Sequence, residues 1–411
     1  FDVFIGKSDD VTEIATPEDF MKIKKNLAGN YKLTADIDMS NTEFTTFGSN
    51  TAEFTGTLDG NGHKISNLKL TATEGKDIGI FSITNSATIK NLAIDNATVS
   101  AGGQDHVGIL AGTINGGTID QVAISGTLTG NDHVGALAGD GNGVTVTNTY
   151  VDVKVTGYSQ VGGFFGCTTG NLSVANSYFN GSASATTRGW VGGFIGLIDV
   201  KNTTVTIDKC VSLGNLTSVG SGSPHAINAF IGGNGAGNDP LAIVNFTNNI
   251  ANSNAVMTVD GDNAQAWPVK NKTVDGGNVE DATQMTASLL KVQNAYTDLG
   301  WDFANVWKID PANAEYPYPV LKQFGAISTG IKEITKNITN ATYGIHVSGN
   351  VLTITGLKGT GKVNVTNVAG QRVIALTTND VTATTTLPGR GIYIITIVNN
   401  GTTKSYKVVN Q

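Results

Sequence analysis

Two short apolar patterns recur along the first half of the chain. One is a strict alternation: KISNL at Lys64, TIKNL at Thr88, TIDQV at Thr118, TVTNT at Thr145, SVANS at Ser173 and TIDKC at Thr206, with Ile or Val always second. Alternation of period two marks a strand with one buried face. The other pattern is six residues long: VGILAG at Val107, VGALAG at Val134, VGGFFG at Val161 and VGGFIG at Val191, with looser copies IGIFSI at Ile78 and INAFIG at Ile227. Their starts lie 29, 27, 27, 30 and 36 residues apart. A repeat this short cannot bury its own apolar face, so neighbouring repeats must stack, and the pattern predicts an all-β parallel solenoid.

Stacking at about 4.8 Å predicts ladders of equivalent residues. Ile65, Ile89, Ile119, Val146, Val174 and Ile207 form an expected interior aliphatic row. Two residues further on, Asn67, Asn91, Gln121, Asn148 and Asn176 form an expected amide ladder at a bend, which Lys209 ends. The six-residue phrase adds Phe81, Leu110, Leu137, Phe164, Phe194 and Phe230 at its fourth position. Its second position holds Gly79, Gly108, Gly135, Gly162 and Gly192, where a corner needs positive φ or close backbone approach.

The open ends of such a stack need covers. Thr16 to Gly29 has helix punctuation, with Thr16 as N-cap, Pro17 at the first turn and Phe20, Ile23 and Leu27 on one face. Asp281 to Gly300 reads as a second helix, capped by Asp281, that closes the far end; Trp301, Phe303 and Trp307 then anchor the chain exit on the last coil. The expected boundaries are 1–324 for the solenoid with its caps, 325–330 for a linker, and 331–411 for seven short strands forming an antiparallel β-sandwich.

Composition fits this reading. Of 411 residues, 39% are apolar, 52 are Gly, 8 are Pro and only 14% are charged, which suits many strands joined by tight turns. A net charge of −7 with scattered Lys and Arg disfavours nucleic acid as a partner. No apolar run reaches the length of a transmembrane helix. The chain opens at Phe1 without an initiator Met, which suits a mature exported protein. Cys167 and Cys210 are read as two small buried hydrophobes, with an internal disulfide as the alternative.

The VG-x-L/F-x-G phrase resembles the GLUG motif of bacterial surface and adhesin-like proteins, found also in the non-catalytic parts of some immunoglobulin A peptidases. The resemblance covers roughly residues 11–324, including YKLTADIDM, FTGTLDGNGHKISNL and LGWDFANVW, and it implies that the solenoid is a right-handed parallel β-helix. VNVTNVAGQRV at Val363 and LPGRGIYIITIVNNGTTKSYKVVN at Leu387 resemble the type A sorting domain of the type IX secretion system of Gram-negative bacteria. That similarity implies export to the cell surface or beyond, through export machinery that reads the C-terminal domain.

Candidate chemistry is sparse. There is no HExxH zinc-peptidase phrase, no GxSxG elbow and no P-loop, and the expectation is that the chain is not a peptidase. Asp59, Asn61 and His63 in LDGNGH read as a Gly-rich turn in preference to a calcium loop. Aligning the VG phrases places Asp77, His106, His133, Gln160 and Trp190 in one column, preceded by Lys76, Asp105, Asp132, Ser159 and Gly189. Asp77, Asp105, His106, Asp132, His133 and Trp190 are the candidate ligand site. His with Asp suits a transition metal such as Zn²⁺, for which His106, His133, Asp105 and Asp132 are the candidates, and Trp190 suits a sugar ring. The bland alternative is a solvated corner. The resulting expectation is an exported adhesin-like binding protein without catalytic activity or cofactor, whose partner is a surface glycan or an extracellular protein. The competing expectation is a carbohydrate-active β-helix, a polysaccharide lyase or hydrolase.

Overall fold

The structure, a computed structural model, describes residues 10–187, 189–200, 203–219, 226–234, 242–259, 264–266, 282–310, 313, 316–324, 343–348, 350–357, 360–367, 372–389, 391–399 and 402–410. The chain divides into two compact units, Phe1–Gly330 and Ile331–Gln411. The linker 325–330, the lead-in 331–341, Asp281 and His225 lie outside the described residues.

The first unit is a parallel β-solenoid of about seven turns. Its interior row runs in register through Leu58, Ile89, Ile119, Val146, Val174, Ile207 and Phe246. A slip of one residue would turn every member outward, which is why the row holds only large apolar residues. The expectation for Ile65 is corrected: it pairs with Ile37 and Ile94, in the neighbouring row. KISNL repeats the wording of TIKNL but follows an additional strand, Thr57–Asp59, which occupies the TIKNL position in its coil. The VG row holds throughout, from Ile78 through Val107, Val134, Val161 and Val191 to Ile227. Phe164, Phe194 and Phe230 stack ring on ring at 4.5 and 5.1 Å. Phe81 shifts to oppose Ala111 and stacks on Phe54 at 4.2 Å.

The amide row is a corner row. Asn91, Gln121, Asn148, Asn176, Lys209 and Asn248 all have φ between 48° and 55°, a left-handed conformation that Asn tolerates better than most side chains. The carboxamides do not chain to one another as expected. Three reach back to aspartates of the preceding coil, Asn91 to Asp59 at 3.1 Å, Asn148 to Asp120 at 2.9 Å and Asn248 to Asp208 at 3.3 Å, while Gln121 donates to Asp120 of its own coil at 3.3 Å. A carboxylate accepts from two donors at once, which an amide oxygen bonded to its own row could not match in strength.

At the N-terminal end the helix is shorter than its punctuation predicts, Pro17–Met21 followed by a 3-10 turn Lys22–Lys25, with Thr16 accepting from the Asp19 amide at 3.1 Å. Phe20 and Ile23 are buried against the first coils, Phe20 on Phe44 and Phe47. The expected far-end helix is corrected more deeply. Thr283–Met285 is a strand paired with Ile250–Asn252, and only Leu289–Lys291 and Asn294–Thr297 are helical turns. The segment after it does not close the end. It runs along the outside of the solenoid, where Leu290, Tyr296, Trp301, Trp307, Tyr316 and Leu321 share one buried cluster with Ala93, Ala123, Tyr150, Tyr178, Val211 and Ile250. Those last six are register neighbours in successive coils. An outward row of small and aromatic residues would leave a long apolar stripe in water, and the strap covers it.

Both cysteines are free and buried, as the preferred reading held. The second unit has two antiparallel sheets. One holds Gly344–Ser348, Val351–Thr355 and Thr382–Thr386; the other holds Arg372–Thr378, Gly361–Asn367, Gly391–Asn399 and Thr402–Asn410. Leu352 and Ile354 of the first pack with Val363, Val365, Ile395 and Ile397 of the second in one core.

Candidate functional site

The column preceding the VG phrase is a second left-handed corner in its first three members: Asp77, His106 and His133 have φ of 58°, 55° and 54°. The sixth-position glycines of the phrase explain how the corner fits. A Cβ on Gly112 would stand 2.1 Å from the Asp77 backbone, one on Gly139 2.4 Å from that of His106, and one on Gly166 2.3 Å from that of His133. The glycine of each coil is the floor on which the preceding corner rests. The second-position glycines do not take positive φ; they serve close approach, a Cβ on Gly108 meeting the Ala111 carbonyl at 2.1 Å.

The stack brings His106 and His133 face to face, with ring centroids 4.8 Å apart and planes 8° from parallel. Both Nδ1 atoms face carboxylates. His106 Nδ1 lies 3.1 Å from Asp77 Oδ1 and 3.3 Å from Asp140 Oδ2, and His133 Nδ1 lies 2.7 Å from Asp140 Oδ1. Thr113 donates to Asp77 Oδ1 at 2.7 Å. Asp77 and Asp140 are 4% and 5% exposed, so their charge needs partners. Burial pushes the Asp77 carboxyl up, but the bonds from His106 and Thr113 outweigh it and hold the group below its ordinary value. The bond to Asp77 raises His106 above the usual imidazole range, against its burial.

The remaining expected members go elsewhere. Asp105 accepts from Asn131 Nδ2 at 2.8 Å and from the Asp132 amide at 3.2 Å, bracing the loop of the next coil. Trp190 sits two coils beyond His133 in the VG register, and its indole packs where a Cβ on Gly233 would stand, 2.2 Å from Cδ1. Asp140 was missed by the column alignment. It follows the sixth glycine of its phrase, where the other copies have Thr113, Cys167, Leu197 and Gly233, and a lone carboxylate at that place was the signal. LDGNGH is a turn, as expected: Asp59 accepts from the Asn61 amide at 2.8 Å, and His63 faces Asp36 at 3.1 Å. An open cavity of about 350 Å³ lies beside Asp77, lined also by Thr46, Ser49, Asn50, Lys76 and Ser82.

Comparison with known proteins bears on these residues only in part. Residues 18–126 match the family model of the M26 IgA1-specific metallo-endopeptidase N-terminal region. A 114-residue stretch is 37% identical to Halomucin of Haloquadratum walsbyi, which covers 25% of this chain and 1% of that protein's length. A crystal structure from Bacteroides ovatus, provisionally designated an immunoglobulin A1 protease, superimposes with a TM-score of 0.63 at 22% identity over 77% of this chain and 94% of its own, which establishes a shared fold. The family match overturns the expectation of an adhesin-like binding protein that is not an enzyme. What residues 18–126 resemble is a region of a metallo-endopeptidase, so the exclusion of a peptidase for want of a zinc phrase does not stand. A carbohydrate-active enzyme gains nothing from that match.

Proposed function

We propose that this chain is the β-solenoid of an extracellular, IgA1-protease-like metallo-endopeptidase and that it holds an immunoglobulin-type protein substrate for peptide-bond cleavage. The observation that carries the reading is the family match over residues 18–126, which spans the N-terminal cover and the first coils. The shared fold of the Bacteroides ovatus protein supports it. Stacked repeats offer a long, rigid face of the kind that binds extended protein surfaces. The residues present do not make a peptidase zinc site of the usual sort, since the 411 residues contain no HExxH. The GLUG-like phrases belong to the same reading as the solenoid's repeat unit. The sorting-like resemblance of the second unit supports secretion or display at the cell surface. No helix among the described residues is long and apolar enough to cross a membrane.

The test is direct. The protein expressed with all of its native flanking sequence is incubated with human IgA1, IgG and serum albumin, and cleavage is followed by gel and mass spectrometry. Binding of the 411-residue chain to the same proteins is measured in parallel. IgA1 cleavage together with selective binding supports the proposal; cleavage of none and binding of none overturns it.

A further inference from the structure

We propose that His106, His133 and Asp140 form a binding site for one divalent transition metal of the Zn²⁺ class, which clasps two successive coils at their left-handed corner, with Asp77 of the coil before them holding His106. The inference stands apart from the peptidase reading and does not depend on it.

Geometry is the first argument. One donor atom each from His106, His133 and Asp140 can be chosen so that all lie within 4.8 Å of one another. The Nδ1 separations from Asp140 of 2.7 and 3.3 Å lie at or below the ligand-to-ligand edge of a tetrahedral site, about 3.3 Å for bonds near 2.0 Å. Two imidazoles and one carboxylate make a donor set suited to borderline metals and poor for Ca²⁺ or Mg²⁺, and Asp77 Oδ1, 3.1 Å from His106 Nδ1, lies beside it and steadies that ring.

Charge is the second. Asp77 and Asp140 place two buried carboxylates in a poorly solvated corner, and a dication offsets their charge. Protonating both rings would do the same only by placing two cations face to face at 4.8 Å. Rigidity is the third. The backbone of His106 is held by Gly139 and that of His133 by Gly166, while Thr113 fixes Asp77 from outside the donor set. A metal site needs this kind of outer support to orient its ligands. The two imidazoles keep 25% and 20% of their surface exposed, which leaves a path for entry.

The experiment uses the full chain stripped with a chelator and titrated with Zn²⁺ alone by calorimetry, with Co²⁺ absorption as a second readout. The expected result is one equivalent bound, tetrahedral Co²⁺ bands, a higher thermal midpoint, and binding that weakens as pH falls because protons compete for the imidazoles. His133→Gln and Asp140→Asn abolish binding, Thr113→Ala weakens it about 10-fold, and His63→Gln leaves it unchanged. Circular dichroism confirms the fold of each variant. If Asp140→Asn fails to fold, His133→Gln, at a less buried position, decides alone. Absence of stoichiometric binding at micromolar Zn²⁺, or binding that survives His133→Gln, overturns the proposal.

Discussion

Gly139 lies against His106 so closely that a Cβ on the glycine would stand 2.4 Å from the histidine's Cα and carbonyl carbon. The contact joins two repeats, and neither partner can yield. His106 already occupies a left-handed φ of 55°, and the neighbouring Val107 amide bonds to the His133 carbonyl at 2.9 Å. Gly139→Ala is therefore expected to lower stability by about 1–3 kcal/mol, the usual cost of overpacking, and to separate the two imidazoles. Urea denaturation measures the first effect. The same substitution at Gly103, where a Cβ would meet nothing within 4 Å, is expected to be nearly silent, and equal losses at both sites would refute the account.

What could be read from sequence follows from what repetition exposes. The VG row from Ile78 to Ile227 was legible because each member has the same chemistry at the same place in a phrase. Asp140 was not, because its row holds Thr113 and Cys167 on either side, and a unique residue leaves no periodic trace. The strap was misread for a related reason. Its helical periodicity from Met285 to Leu299 is real in the sequence, yet pairing of Thr283–Met285 with the Ile250 coil and the outward stripe from Ala93 to Ile250 decide its path. Local propensity gave way to a surface formed by six distant segments.

That strap makes a prediction of its own. Trp307 is fully buried, lying 4.6 Å from Trp301 and 6.1 Å from Tyr178 between ring centroids. Trp307→Ala is expected to cost about 3–5 kcal/mol and to free the strap before the coils open. Limited proteolysis should then cut within 283–324 while the solenoid remains resistant. Simultaneous loss of both would show that the strap and the coils form one cooperative unit.

The Asp77–His106 pair makes stability depend on pH in the chelated protein. His106 is raised above 6.5, so its contribution is complete below that value and fades as pH rises through the folded pKa. Asp77 is lowered below 3.8, so its contribution is present above that value and fades as pH falls through the folded pKa. The advantage of the wild type over His106→Gln should peak between these limits, at about 1.5–3 kcal/mol for a charged hydrogen bond in a corner this enclosed. Thermal midpoints at pH 3, 5.5 and 9 measure it, and a difference flat across the three would contradict the pairing.

Asp152 responds in the opposite sense. It is 7% exposed beneath the strap, and burial raises its carboxyl from 3.8 to about 6, although Asn180 donates to it at 3.0 Å and Tyr316 also bonds to it. Because the folded value is the higher one, the protonated form stabilises the fold below about pH 3.8. That contribution is lost as pH rises through about 6, where the ionised group must stay buried. The span corresponds to about 3 kcal/mol at most. Asp152→Asn keeps the shape and a hydrogen-bonding oxygen without the charge. It is expected to be close to neutral at pH 4 and stabilising at pH 7.5, with the gain growing between those values. Denaturation of both proteins across that range measures the difference. A variant less stable than wild type at pH 7.5 would mean that the ionised carboxylate is better solvated under the strap than its burial indicates.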